Sequence, residues 1–287
     1  MRYTNQISVL LLFVILTFVS CDKDEHTDFS TLDASTVTAT LDANLPSTIL
    51  EQDSTFVITI SLDKPQVVDM KFYMSLLEGT ATEGEDFDYD HEIVIPAYAT
   101  SGSSEIKIYN DLTIEESETF TVVFGDTSTP NVNFVQAEHT ITLENYVNPN
   151  LEMYFEWDAV LATDSGEVHF CDYVDLDVYV FDTDGNDLGI YDAATGACPE
   201  AMLFSGMADG DYILMTNLWS SGVIPDDPAV VVEFPITGTF IQGGLFEMHM
   251  TQSSENSFSS ADGDSSDDFR PLANLSISNG TYTITAP

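Results

Sequence analysis

The stretch Thr55-Phe56-Val57-Ile58-Thr59-Ile60-Ser61-Leu62 places an apolar residue at every even position, with mostly polar residues between them. Successive side chains of a β-strand point to opposite faces, so this pattern predicts a strand with one buried face. The same alternation recurs at 70–74, 105–109, 119–124 and 140–143. Gly, Pro, Asn and Asp clusters separate these stretches, and none of the chain shows sustained helical periodicity. The sequence therefore predicts an all-β fold of antiparallel strands packed as a sandwich.

A turn-rich break at Asn148-Pro149-Asn150 divides the chain into two parts. Strand-like stretches continue beyond the break, and a Ser- and Asp-rich segment at 253–268 is predicted to be a long mobile loop. The predicted strands after the break are 152–157, 177–181, 212–216, 230–234, 245–250 and 281–285. We therefore predict two tandem β-sandwich domains, at residues 36–147 and 150–287.

The charge of the chain is strongly negative, with 49 acidic and 6 basic residues and a formal net charge of −43 at pH 7. This excludes nucleic acid as a partner, because phosphate binding needs a basic face. Docking on an anionic membrane surface is disfavoured for the same reason. Bound divalent cations would relieve the self-repulsion of so acidic a fold, and solubility in salty water is the alternative explanation.

The N-terminal segment carries an apolar run from Ile7 to Val19, which follows Arg2 and ends at Ser20-Cys21. The run is shorter than the about 20 residues that span a bilayer, and it has the length of a signal-peptide core. Its stop at a cysteine after a small residue resembles the lipobox of bacterial lipoproteins. That resemblance implies removal of residues 1–20 and acylation of Cys21. An ordinary signal peptide with Cys21 merely nearby is the alternative.

Residues 21–35 are predicted to be a flexible acidic tether. The cluster Asp22-Lys23-Asp24-Glu25-His26 resembles surface-export signals of lipoproteins in some Gram-negative lineages. We therefore predict an outer-membrane protein that is lipid-anchored and exposed at the cell surface. A plain solvated linker is the alternative, and it leaves a periplasmic orientation open.

Lipidation of Cys21 would leave two cysteines, Cys171 and Cys198. An even remainder in an exported protein indicates a disulfide between them, because the compartment is oxidising. Two free buried thiols are the alternative.

Two motifs in the first half resemble the Calx-beta family. Gly79-Thr80-Ala81, Gly84 and Asp86-Phe87 match its "GTA…G.DY" turn. Residues 108–111, Ile-Tyr-Asn-Asp, followed by 115–120, Glu-Glu-Ser-Glu-Thr-Phe, match its "I.DD…EEDE.F" segment. The resemblance implies a seven-stranded immunoglobulin-like sandwich. It also implies, from the calcium-binding members, acidic side chains from several loops gathered at one end.

The resemblance further implies a set of Ca²⁺ ligands, since Ca²⁺ takes 6–8 oxygen atoms. The implied ligands are Glu51, Asp86, Asn110, Asp111, Glu115, Glu118 and Glu144. The chain departs from the family pattern at Asn110, which removes one charge, and at 144–146, which carries a single carboxylate. Fewer carboxylates imply fewer ions or weaker binding. Calcium binding and a fold that has lost its ions are therefore both open.

The second half resembles the bacterial pre-peptidase C-terminal family at four places. These are Asp175–Val180, Asp184-Gly185, Pro199-Glu200 and Asp209–Tyr212. The resemblance implies a small, non-catalytic, jelly-roll-like β-sandwich. Residues 223–287 match no family in this way, and their role is open.

Trp219 is the candidate ligand-binding aromatic residue, because it lies in the turn-like stretch Asn217–Gly222 and could stack on a sugar. Aromatic residues in a sandwich more often pack in the core, which is the alternative. The sequence contains no His-Glu-x-x-His, Gly-x-Ser-x-Gly or phosphate-loop motif.

Together these patterns predict a non-enzymatic surface lipoprotein that functions in adhesion or in binding a glycan or protein, with Ca²⁺ stiffening the domain junction. One alternative is a glycan-binding accessory subunit of a polysaccharide-uptake system. A second alternative is a carboxylate-based hydrolase. The predicted partners are a membrane, through the N-terminal lipid, and an unidentified glycan or protein ligand.

Overall fold

The computed structural model describes residues 37–126, 132–163, 166–222 and 231–287. The predicted signal peptide, Cys21 and the acidic tether lie outside these residues. Across the described ranges the regular structure is strand, with a 3₁₀ turn at Phe170–Asp172. No helix in those ranges is long and apolar enough to cross a membrane. The all-β prediction is confirmed.

The first half of the described chain, residues 37–144, forms two five-stranded sheets. Their orders are β5-β7-β3-β1-β9 and β2-β10-β8-β4-β6. We call this part the first sandwich. It has ten strands rather than seven, because two- and three-residue segments (β2, β5 and β9) extend the sheet edges. The strands are β1 (Val37–Ala43), β2 (Thr48–Leu50), β3 (Ser54–Leu62), β4 (Met70–Leu77), β5 (Phe87–Tyr89), β6 (Glu92–Ile95), β7 (Ser101–Ile108), β8 (Glu118–Phe124), β9 (Val132–Asn133) and β10 (Ala137–Glu144).

The quoted stretch 55–62 is the central strand β3, which pairs antiparallel with β1 and β7. Its even positions face the core, and Ile58 and Ile60 have no exposed surface. Val57 points the other way and is 58% exposed. The period-two pattern thus buries one face of the strand against the opposite sheet.

A pair of stacked rings joins the two sheets at one end of the first sandwich. Phe87 belongs to β5 in one sheet, and Phe120 belongs to β8 in the other. Their ring centroids are 3.9 Å apart and their planes differ by 5°. Both side chains are almost fully buried. The stack fixes the positions of the chain segments that enter β5 and β8.

The second half, residues 151–285, forms the second sandwich, with a hydrophobic core separate from that of the first. Its two main sheets have the orders β15-β11-β18-β19 and β14-β16-β21-β22, and two short ladders join β12 to β13 and β17 to β20. Its strands are β11 (Leu151–Glu156), β12 (Val160–Thr163), β13 (Gly166–His169), β14 (Val174–Asp182), β15 (Glu200–Phe204), β16 (Gly210–Ser221), β17 (Glu233–Phe234), β18 (Thr237–Gln242), β19 (Phe246–Thr251), β20 (Phe258–Ser259), β21 (Phe269–Ser278) and β22 (Thr281–Thr285).

The segment 253–268, predicted to be a long mobile loop, contains the two-residue strand β20. Phe258 is 1% exposed, and the Arg270 guanidinium lies 4.0 Å from the centre of its ring. Arg270 also pairs with Asp262 at 2.8 Å and with Asp268 at 2.9 Å. The sequence did not indicate these contacts, because the segment has few apolar residues of its own. The residue that holds it in place, Arg270, lies after the segment in sequence.

The two sandwiches meet where the β7–β8 loop contacts the β18–β19 turn. The Gly244 amide donates to the Leu112 carbonyl at 3.0 Å, and the Asn148 amide donates to the Gly243 carbonyl at 2.9 Å. A side chain at Gly243 would lie 3.1 Å from Leu112, so this glycine permits the close contact. The Asn145 amide nitrogen bridges the two parts by donating to the carbonyls of Gly244 at 3.0 Å and Glu115 at 2.8 Å.

Candidate metal centre

Five carboxylates of the first sandwich converge at the pole that contains the Phe87–Phe120 stack. We call them the polar cluster. Glu51 follows β2, Asp86 precedes β5, Glu118 begins β8, and the other two lie in the β7–β8 loop. Single oxygens of Glu51, Asp86 and Glu115 lie within 4.8 Å of one another. The cluster consists of Glu51, Asp86, Asp111, Glu115 and Glu118.

The backbone around Asp86 holds its carboxylate in place. Its Oδ2 atom accepts from the Thr82 amide at 2.5 Å, and its own amide donates to the Thr82 carbonyl at 3.0 Å. The Asp86 carbonyl accepts from the Tyr109 amide at 2.9 Å. Because Phe87 is anchored in the core, Asp86 is held at this pole, where it is 6% exposed.

The Gly79-Thr80-Ala81 turn positions the start of β8 and therefore Glu118. The amides of Thr80 and Ala81 both donate to the Thr119 carbonyl, at 2.8 and 3.1 Å. The Thr119 amide donates to the Thr80 hydroxyl at 2.9 Å. A side-chain carbon at position 79 would lie 2.2 Å from the Thr119 carbonyl oxygen, so only glycine permits this close approach.

The β7–β8 loop is held from both sides. The Thr113 amide donates to an Asp111 carboxylate oxygen at 2.9 Å. The Asn145 bond to the Glu115 carbonyl holds the other end of the loop. The Glu115 Oε1 atom is buried and has no hydrogen-bond partner. A buried carboxylate oxygen of this kind is costly unless a cation or a proton satisfies it.

Burial and neighbouring charges raise the pKa values of the three glutamates of the polar cluster. Burial, followed by the charges of Glu115, Asp111, Asp86 and Glu118, raises the pKa of Glu51 to about 7. Burial and a hydrogen bond with Asp86 raise the pKa of Glu118 to about 7. The pKa of Glu115 is also raised, first by burial and then by Asp111. None of the ion pairs among the described residues includes these five carboxylates.

Two other predicted Ca²⁺ ligands, Asn110 and Glu144, do not belong to the polar cluster. The Asn110 side chain is exposed, and its amide lies 3.2 Å from the Glu51 carbonyl and 3.1 Å from the Asp111 carbonyl, so its nitrogen can donate to both. The Glu144 side chain is exposed and is not among the charges that raise the pKa of Glu51. The described contact of Glu144 at this pole is through its carbonyl, which accepts from the Glu51 amide at 2.9 Å.

The remaining predicted site residues lie in the second sandwich. A disulfide joins Cys171 and Cys198, whose Cα atoms are 5.6 Å apart. Trp219 is 57% exposed, but it lies within strand β16 rather than in the loop that the sequence indicated. Trp219 lies at a register shift in the pairing of β14 with β16, where Asp175 pairs with Ser220 and Leu176 pairs with Leu218.

A second group of acidic residues was not predicted as a metal site. Oxygens of Asp175, Asp177 and Glu200 also lie within 4.8 Å of one another. The sequence signal was the pair of acids at positions i and i+2 of strand β14, which places both on one face. Glu200 could not be added from sequence, because only the tertiary fold brings it to that strand.

No family model matches the chain, and no curated protein matches it. Among solved structures, the apo-form Calx CBD1 domain is similar at 18% identity, covering 38% of this chain and 96% of that one, with a TM-score of 0.30. The calcium binding domain CBD12 of CALX1.1 is similar at 13% identity, covering 63% and 79%, with a TM-score of 0.28. A two-domain protein of unknown function from Bacteroides fragilis is similar at 9% identity, covering 75% and 91%, with a TM-score of 0.30. At these identities the likeness concerns the fold alone.

The raised pKa values predict a pH dependence of stability in the absence of metal. The pKa values of Glu51 and Glu118 are about 7 in the folded protein, against 4.5 for an ordinary glutamate. The folded state therefore binds these protons more tightly than the unfolded chain does. Their contribution to stability is fully present below pH 4.5 and is lost as the pH rises through about 7. We expect the unfolding midpoint in EDTA to fall between pH 5 and pH 8.

The measurement is thermal unfolding of the chain from residue 22 at several pH values, with and without the double substitution Glu51→Gln and Glu118→Gln. The double variant should show a smaller fall, and the control Glu144→Gln should match the unsubstituted chain. Equal slopes for the double variant and the unsubstituted chain would contradict the assignment.

Proposed function

We propose that this chain is a non-enzymatic, lipid-anchored surface protein that binds a glycan or protein ligand, with Ca²⁺ at the polar cluster stiffening the domain junction. The observation that carries the proposal is that the loop bearing Asp111 and Glu115 also makes the contact with the second sandwich. The acidic site and the junction therefore share one segment of backbone.

The chemistry of the polar cluster fits Ca²⁺. All five side chains offer carboxylate oxygen, and the group contains no histidine or cysteine. Hard oxygen ligands suit Ca²⁺, whereas sulfur and imidazole suit zinc and copper. A positive charge at this pole would satisfy the Glu115 oxygen and would lower the raised pKa of Glu115. Glu51, Asp86, Asp111, Glu115 and Glu118 would hold the ion, and the ion would supply that charge.

Stiffening of the junction follows from the connections of the β7–β8 loop. Without a cation, repulsion among the carboxylates favours movement of Asp111 and Glu115 away from Glu51. A bound ion would hold the loop in one position, and Leu112 lies directly between those two ligands in sequence. Its contact with Gly243 and Gly244 would then become more persistent. Calcium would therefore reduce bending between the sandwiches.

The proposal also includes a lipid anchor at the N-terminus and a ligand-binding surface on the sandwiches. The apolar run at 7–19 and Cys21 support acylation, which would place both sandwiches beside a membrane with the acidic tether between. Two tandem sandwiches on a tether are suited to presenting a binding surface away from the membrane. The net charge of −43 argues against a nucleic-acid partner.

A glycan ligand is supported by the exposure of Trp219. A tryptophan that is 57% exposed on a strand offers a flat apolar face on which a sugar ring can stack. This observation favours the alternative of an accessory subunit for polysaccharide uptake.

The hydrolase alternative is less well supported. A pocket along β16, β21 and β22 is lined by one carboxylate, that of Asp211, together with polar and apolar side chains. Glycoside hydrolysis needs a pair of carboxyl groups on either side of the substrate.

Calcium should stabilise the chain from residue 22 against heat. At 100 times the dissociation constant, binding adds about 2.7 kcal/mol to the free energy of unfolding. For a chain of this size that gain corresponds to a rise of roughly 5–10 °C in the midpoint. Glu118→Ala together with Asp111→Ala should remove the part of the gain due to the polar cluster, and Glu144→Ala should retain it. Equal Ca²⁺-induced shifts in the double variant and the unsubstituted chain would refute the role of the polar cluster.

The proposed lipid anchor is tested by Cys21→Ser in the natural host. The variant should move from the detergent-soluble membrane fraction to the soluble fraction, because the serine hydroxyl cannot form the thioether. Cys171→Ser serves as the control and should remain with the membrane. Membrane partitioning of the Cys21 variant would show that another segment anchors the protein.

The proposed sugar contact is tested with Trp219→Ala on a glycan array, with and without EDTA. We expect the variant to lose binding to the glycans that the unsubstituted chain binds, because the stacking surface is removed. Tyr154→Ala, which alters a 40% exposed aromatic residue on a different strand, is the matched control. An unchanged binding pattern in the Trp219 variant would contradict a sugar-stacking role.

A further inference from the structure

We propose that Asp175, Asp177, Glu200 and Asn217 form a second, independent binding site for a divalent cation, best suited to Ca²⁺, within the second sandwich. The site does not depend on the polar cluster or on the function proposed above.

The first observation is that three carboxylates meet although two of them are deeply buried. Asp177 is 4% exposed and Glu200 is 1% exposed. Asp175 and Asp177 lie on one face of β14, and Glu200 begins β15 in the other main sheet. One oxygen from each of the three lies within 4.8 Å of the other two. Three negative charges so placed repel one another strongly unless a cation lies between them.

The second observation is an unsatisfied amide oxygen beside this group. Asn217 is 1% exposed, and its Oδ1 atom has no hydrogen-bond partner. Strand β16 pairs Asn217 directly with Asp177, and side chains of directly paired residues lie on the same face about 5 Å apart. A buried carbonyl oxygen without a donor is costly, so a ligand is expected to satisfy it.

The orientation of the Asn217 amide is determined by its nitrogen. The Nδ2 atom donates to the carbonyls of Ser265 at 2.6 Å and Asp268 at 2.9 Å. Both acceptors lie just before β21, which flanks β16 on the side opposite to β14. Because the nitrogen side of the amide is taken up by these two bonds, we infer that the amide oxygen is directed toward β14, where Asp177 is the residue paired with Asn217.

The Asp175 carboxylate adds a further unsatisfied oxygen. Its Oδ1 atom is buried and has no hydrogen-bond partner. By contrast, the Glu200 carboxylate is already oriented, because the Thr195 amide, the Thr195 hydroxyl and the Ala197 amide donate to its Oε1 atom at 2.8–3.0 Å. The Tyr179 hydroxyl orients Asp177 in the same way at 2.8 Å. Oxygens held in place in this manner are typical of a preformed site.

The disulfide holds together the two segments that carry the carboxylates. Cys171 lies four residues before Asp175, and Cys198 lies two residues before Glu200. The Val178 amide donates to the Ala193 carbonyl at 2.7 Å, so the loop that leads to Glu200 runs along the edge of β14. The cross-link and this bond keep Glu200 beside the strand.

The donor set selects the class of cation. Three carboxylates and one amide oxygen, with neither sulfur nor imidazole, suit a hard ion such as Ca²⁺, Mg²⁺ or Mn²⁺. Mg²⁺ usually keeps several water molecules. The burial of Asp177, Glu200 and Asn217 leaves little access for such water, which favours Ca²⁺.

The test uses the chain from residue 22, which keeps every described residue, with Glu118→Ala and Asp111→Ala introduced to disable the polar cluster. Calorimetric titration of this background with CaCl₂ should show one equivalent bound. Adding Asp177→Asn should weaken that binding at least tenfold, and Glu200→Gln should do the same. Adding Asp172→Asn, which removes an exposed charge near the same strand, should leave the affinity unchanged.

Stability measurements in EDTA distinguish cation binding by these acids from a purely structural role. Asp177→Asn should unfold at the same or a higher temperature than its background, because charge repulsion is reduced, and should lose the Ca²⁺-induced rise. Terbium provides a second readout, since Tyr179 adjoins the site and should sensitise Tb³⁺ emission that Ca²⁺ displaces. Absence of Ca²⁺ binding in the background would overturn the proposal. So would Asp177→Asn and Glu200→Gln variants that bind Ca²⁺ as tightly as the background does. Titration of the unsubstituted chain, in which the polar cluster is intact, tests Ca²⁺ binding at that cluster separately.

Discussion

The stack of Phe87 on Phe120 is the contact on which the candidate metal centre of the first sandwich depends. It joins the two sheets at one pole. Asp86 directly precedes Phe87, and Glu118 lies two residues before Phe120. Burial of the rings contributes free energy through lost apolar surface, and this offsets the cost of bringing Asp86 and Glu118 close together. The close approach of Gly79 to the Thr119 backbone fixes the same region from outside. The apolar core thus determines where the carboxylates are, and the carboxylates determine what the pole can bind.

Charge balance sets the second constraint on this protein. With 49 acidic and 6 basic residues, few carboxylates can form ion pairs with a basic side chain. Arg270 has a structural role, because it contacts Asp262, Asp268 and the Phe258 ring of the 253–268 segment. Other acids satisfy backbone amides in turns, as Asp182 does for Asp184 and Asn186. In the two groups of carboxylates, Glu115 and Asp175 each keep one buried oxygen without a hydrogen-bond partner. A cation or a proton would satisfy such an oxygen.

The two groups of acids differ in how they are built, and therefore in what binding would do. The polar cluster draws mainly on loops, one of which also contacts the second sandwich through Leu112, so a cation bound there would act on the domain junction. The second group draws on strand β14 and on Glu200, and the Cys171–Cys198 disulfide holds these segments together. Binding there would act within one sandwich.

The sequence by itself determined the strand class, the burial side of strands such as β3, and the motifs that surround Asp86 and Glu118. These properties are local, because alternation and turn residues act over a few positions. It also singled out all five acids of the polar cluster through the Calx-beta resemblance. Only the tertiary structure decided which acids meet: the Glu144 side chain is exposed, whereas Glu200 joins Asp175 and Asp177 from another sheet. It also placed Trp219 in a strand and ordered 253–268 around Arg270. The physical reason is that strand pairing and sheet packing join residues far apart in sequence, and local pattern carries no information about those distances.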